Sequence, residues 1–112
     1  MEILPINDEE YLYRRITAEH FDDAKGKINS SAFSGRELSV DWAKFTTPSE
    51  SIARPPIGKC LAQVQATYPR QVGQEVLHNP TSTNYSHSLI VGDKKQSVRR
   101  FIRNNATIIL GP

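Results

Sequence analysis

Apolar residues along the chain fall mostly into short alternating runs, and one stretch near the carboxyl end repeats them at helical spacing. YLYRRI, residues 11–16, alternates weakly, carries two tyrosines and ends in isoleucine, which predicts a strand. KINSSAFSGRELSVDW reads as two extended segments around the turn formers Ser34 and Gly35. In its second half Leu38, Val40 and Trp42 alternate with Ser39 and Asp41, the pattern of a strand with one buried face, which makes Ser39 and Asp41 solvated positions. Residues 59–65 place Cys60, Ala62 and Val64 against polar Gln63 and Gln65 and are read as a strand, although Leu, Ala and Gln also suit a helix. EVLH, after the turn-rich PRQVG, and then SHSLIVG and ATIIL supply three more strands.

Helical signals are fewer. Thr17 before AEHFDDAKG offers a hydroxyl N-cap, acids follow in the first turns, and Gly26 stands at the end, so a short helix is expected there. Thr47, Pro48 and Glu50 form a capping signature that Pro55 and Pro56 close. KKQSVRRFIRNN is the clearest helix: Val98, Phe101 and Ile102 share one face, Lys95, Arg99 and Arg103 line the next, and Asp93 with Gln96 would cap it. Strands outnumber helices in mixed order. The expected fold is therefore α+β, a single compact domain over residues 1–112 with a mostly antiparallel sheet covered on one face by two or three short helices. Strict strand–helix alternation and a glycine-rich phosphate loop are both missing, which argues against a doubly wound nucleotide-binding fold.

Composition narrows the class. An apolar fraction of 38% and a charged fraction of 23% in 112 residues suit an ordinary soluble domain. Cys60 is the only cysteine, which rules out an internal disulfide and a cysteine zinc site and leads us to expect a buried thiol in a reducing compartment. MEILPINDEE lacks the basic and apolar regions of a secretory signal, and no run approaches the ~20 apolar residues of a membrane span. Cytoplasmic residence and no membrane contact are the expectation. The net charge of +2 conceals an asymmetry: residues 1–50 hold ten acids and six bases, whereas residues 51–112 hold eight bases and two acids.

Candidate chemistry centres on HNPTSTNYSH, residues 78–87. His78 and His87 stand nine residues apart, with His20 far upstream and no carboxylate between them, so neither a metal nor another cofactor is expected. Asn79, Pro80, Asn84 and Tyr85 suggest a rigid connecting loop or one wall of a pocket. If Arg14, His78 and His87 gathered in one cleft, a small enzyme or nucleotide-handling domain would follow. Asp41 orienting His87 beside Ser39 would make a hydrolase-like triad, though no glycine-flanked nucleophile elbow surrounds Ser39.

The tyrosine and arginine of LYRRI, followed by a serine-bearing strand, resemble the start of ADP-ribosyltransferase domains, in which such an arginine contacts the dinucleotide. The resemblance covers Tyr13, Arg14 and Ser39. The chain departs from that pattern because Glu75 is the only acid between Glu50 and Asp93, leaving no later strand with a catalytic glutamate.

At the carboxyl end Lys95, Arg99, Arg100 and Arg103 form a cationic arc. The modest net charge favours a protein partner, self-association or intramolecular pairing over nucleic acid for that arc. The leading expectation is a small soluble intracellular interaction or accessory domain without a convincing catalytic motif. A small enzyme and a nucleic-acid binder are the alternatives.

Overall fold

A computed structural model describes residues 1–111. Among the described residues eight strands form in chain order: β1 Tyr11–Ile16, β2 Phe21–Asp22, β3 Lys27–Ile28, β4 Glu37–Trp42, β5 Cys60–Gln65, β6 Glu75–His78, β7 His87–Val91 and β8 Ala106–Leu110. Three helices, α1 Pro48–Ala53, α2 Thr67–Gln71 and α3 Gln96–Asn104, join three short 3-10 turns. Six strands make one sheet in the order β6-β7-β4-β1-β5-β8 with every neighbouring pair antiparallel, and β2 with β3 makes a separate hairpin. The α+β domain expected from the alternation is thus the one that forms.

Register decides which side chains share a face. Leu12 lies opposite both Trp42 and Val64, Val40 opposite Ser88, and Leu38 opposite Ile90, which is opposite Val76. These residues build the core face. Ile102 and Val98 of α3 close over it, together with Phe33 and Ala32 from the turn at residues 30–33 and with Phe21 and Ile28 of the hairpin. Cys60 is fully buried there, and burial pushes its thiol pKa up, as expected of a structural cysteine. The opposite face carries Tyr13, Arg15, Asp41 and His87. It is open to solvent at Ser39, Glu75 and Leu77 and is covered by α1 across β1, β5 and β8.

The capping box predicted for α1 is present: Thr47 accepts from the Glu50 amide at 3.2 Å while the Glu50 carboxylate accepts from the Thr47 amide at 3.0 Å. Four local expectations are corrected. Residues 18–26 form no α-helix. Phe21 buries itself opposite Ile28, the Asp22 carboxylate accepts from the Lys25 amide, and Gly26 takes a φ of 62° to close a tight hairpin. Burial of two apolar side chains across a turn outweighs the weak N-cap at Thr17, whose side chain makes no cap bond. Asp93 does not cap α3: the helix starts at Gln96, so the cap position falls to Lys95, which makes no side-chain cap bond, and the Asp93 carboxylate pairs with Arg36. Asp41, expected in solvent, is 2% exposed. The segment read as a turn around PRQVG contains the single turn of α2, ended by Gly73 at φ 81°.

Lys94, just before α3, is also buried. Its ammonium donates to the carbonyls of Ile90, Gly92 and Arg36, at 2.7, 3.1 and 3.2 Å, which uses all three of its protons. Burial, with Arg36 nearby, lowers its pKa from the ordinary lysine value. It ties the end of β7 to the start of β4.

Candidate functional site

Asp41 sits where β4, α1 and the loop at residues 79–86 meet. One carboxylate oxygen accepts from Ser51 Oγ at 2.6 Å, Arg54 Nη1 at 2.9 Å and Arg15 Nη1 at 3.1 Å, and the other accepts from Asn84 Nδ2 at 2.9 Å. Burial alone would raise its pKa. The Ser51 hydroxyl, the Asn84 amide and the two guanidinium groups together prevail and hold it below the ordinary aspartate value. Asn84 passes the constraint on, its Oδ1 accepting from both the amide and the hydroxyl of Ser86. Arg15 also reaches the Ser51 carbonyl at 3.0 Å, while its Nε lacks a partner. The carboxylate thus fastens a loop and a helix to the sheet, and both of its oxygens are occupied in doing so.

The two loop histidines have different surroundings. His78 is 4% exposed; its Nδ1 accepts the Leu4 amide at 3.0 Å and its Nε2 donates to the Tyr85 carbonyl at 2.7 Å, which requires the Nε2–H tautomer. Trp42 and Tyr85 meet its ring edge to face, with centroids 5.1 and 4.8 Å away, and Phe45 stacks on it at 5.8 Å. His87 is half-buried on the open face. Its Nδ1 donates to the Asn79 carbonyl at 2.7 Å, which leaves Nε2 to accept from Ser39 Oγ at 3.3 Å.

The structure therefore brings Ser39 and His87 together and orients the imidazole with a backbone carbonyl. Asp41, though directly across from His87 in register, turns its carboxylate to the arginines instead. Arg14 reaches Ser39 from the other side, Nη1 donating to the Ser39 carbonyl at 3.1 Å and Nε to the Ala32 carbonyl at 3.0 Å. Burial, and next the neighbouring charge of Arg15, lowers its pKa from the usual arginine value. Arg14 and His87 thus meet at one residue while His78 lies in the aromatic cluster apart from them. Ser39 lies in the middle of a paired strand rather than at a strand-to-helix turn, so the sheet aims no pair of free amides at a developing oxyanion.

In the loop, Asn79 is exposed at its side chain and Tyr85 donates its hydroxyl to the Glu2 carbonyl at 2.9 Å. The cationic arc of α3 is less tied. Lys95 and Arg100 are exposed, Arg99 donates to the Lys94 carbonyl at 2.6 Å, and Arg103 bonds only the side chain of adjacent Asn104, at 3.0 and 3.2 Å. Arg103 overlooks a groove of about 630 Å³ between the β2–β3 hairpin, the end of α3 and β8. Lys25 and Lys27 stand on its other wall, exposed and outside every ion pair among the described residues.

Sequence reasoning missed these two lysines because it placed Lys25 on a helix and Lys27 at the start of a separate extended segment. The signal was present: the turn formers Asp22, Asp23 and Gly26 between apolar Phe21 and Ile28 are a hairpin pattern. It also missed Arg15, Ser51 and Arg54, whose convergence on Asp41 joins three separate segments.

No protein-family model matches the chain, and searches of curated proteins and of solved structures return no match.

Proposed function

We propose that the domain is a non-catalytic interaction or accessory module whose partner, another protein or a second copy of the chain, meets the basic groove side of the molecule. One observation carries this reading. The groups that chemistry would require, Asp41, His78 and Arg14, are all engaged in fixing loops to the sheet, whereas Lys25, Lys27, Lys95 and Arg100 project into solvent without an ionic partner among the described residues. An exposed cationic set on a rigid scaffold steers acidic surfaces and selects among them.

A second reading retains one specific observation: the Ser39 hydroxyl facing His87 Nε2 at 3.3 Å has the order of a nucleophile and its base. Labelling with a fluorophosphonate, followed by peptide mapping, separates the two. The interaction reading expects no label at Ser39 and the same nitrophenyl-ester hydrolysis in the native protein and in Ser39→Ala. Label confined to Ser39 and lost in His87→Ala would replace that reading with a hydrolase.

A further inference from the structure

The inference rests on the interaction reading and names its partner. β8 is the last strand of the sheet, and on its side away from β5 no backbone N–H or C=O of Ala106–Leu110 has a partner among the described residues. Natural edges are ordinarily blunted by charge, proline or a covering segment, and ATIIL carries neither charge nor proline. The open edge borders the groove, whose floor is apolar at Ile28, Ala106 and Ile108 and whose rim holds Lys25, Lys27 and Arg103. Arg103 in the last turn of α3 also answers the helix dipole. Lys25 and Lys27 stand on a two-strand hairpin with no such field, so they are the sharper sign of an external anion.

We infer that β8 receives an extended acidic segment of another protein as a seventh, added strand. Its backbone would pair with the free edge of Ala106–Leu110, and carboxylates on alternate residues would face Lys25, Lys27 and Arg103. Two features of the groove select this occupant. A strand partner supplies both donors and acceptors to the edge, whereas a nucleic-acid backbone offers phosphate oxygens that accept only. A second copy pairing through its own β8 would bring no acid, because that strand has none, and would set two cationic rims side by side. Asp22, the acid among the groove residues, already accepts from the Lys25 amide and leaves the rim net positive.

The test is a titration of the ¹⁵N-labelled chain with an eight-residue peptide alternating glutamate and valine. Two control peptides accompany it, one with lysine for glutamate and one N-methylated at alternate residues so that it cannot pair with a strand. The expected result is chemical-shift change centred on residues 106–110, slower hydrogen exchange at the outward amides of β8, and at least tenfold weaker binding for both controls. The triple variant Lys25→Ser, Lys27→Ser, Arg103→Ser should lose at least tenfold in affinity while its spectrum stays folded.

The inference is overturned if the acidic peptide at 1 mM leaves 106–110 unmoved. It is also overturned if a thymidine oligonucleotide shifts the same residues more strongly, or if those amides move with protein concentration alone, which would assign the edge to a second copy. Shifts confined to the exposed cations of α3, at Lys95 and Arg100, would refute the β8 site and leave the interaction reading standing. Label at Ser39 would refute that reading without bearing on the peptide.

Discussion

The two ends of the main sheet face the same hazard and meet it differently. At one end β6 is an edge strand, and the chain's own first residues strap it. The Leu4 amide donates to His78 and the Tyr85 hydroxyl to the Glu2 carbonyl, while Arg70 Nη2 reaches the carbonyls of Ile6 at 2.6 Å and Val76 at 3.3 Å. Its neighbouring loop is locked by the Asp41 cluster and by the rings around His78. At the other end the outer edge of β8 has no backbone partner among the described residues and runs beside a groove with three cations. Where the chain's own segments lie over an edge, that surface serves stability. Where an edge is left uncovered and its neighbouring cations unpaired, it is available for a partner.

Substitutions should separate the two ends. The largest effect belongs to Asp41→Ala, which leaves Arg15 and Arg54, with side chains 20% and 26% exposed, without their counter-charge. A loss of about 3 kcal/mol in urea denaturation is expected. A loss below about 1 kcal/mol would mean that the cluster does not hold the closed end. Ile6→Ala, at a strap position 5% exposed, should cost roughly 2–3 kcal/mol by emptying a core site. It should also speed amide exchange in β6 while leaving β8 unchanged.

Acid should weaken the closed end. The Asp41 pKa is lower folded than unfolded, so its stabilisation is fully present above the unfolded value of about 3.9 and disappears as pH falls through the folded value. Denaturation midpoints followed downward from pH 5 should fall less steeply in Asp41→Asn than in the native chain, and parallel curves would disprove the linkage. Thr47→Ala, which removes the cap of α1, should cost about 1 kcal/mol, read from the same urea curves. The smallest effect is expected from Lys25→Ser, Lys27→Ser and Arg103→Ser together, within about 0.5 kcal/mol of native stability. A larger loss would show that these cations serve the fold, and the contrast between the ends would fail.

Much of the fold was legible because burial imprints a short period. The alternation of Leu38, Val40 and Trp42, and the spacing of Val98 and Ile102, mark residues that must face a core whichever neighbours supply it. The candidate site was legible only in part. The nearness of His87 and Ser39 was foreseen as a condition of one face lying beside the loop, and register meets it by placing β7 against β4. Asp41 was misplaced because alternation marks which face a residue takes and not whether a helix will cover that face. Residues 18–26 were misplaced because acids and a terminal glycine serve a helix end and a hairpin turn equally well, until Phe21 finds Ile28.

By itself the sequence determined the periodic elements, the capping box at Thr47 and Glu50, the burial of the lone Cys60 and the imbalance of charge between the two halves. Each depends on residue type and near-neighbour spacing alone. Only the tertiary structure decided that Asp41 gathers Arg15, Ser51 and Arg54, that Leu4 closes on His78 across seventy-four residues of chain, and that Lys25 and Lys27 face Arg103 over an open strand. Those contacts join segments distant in sequence, and their distances are set by strand order and register, which no local pattern encodes.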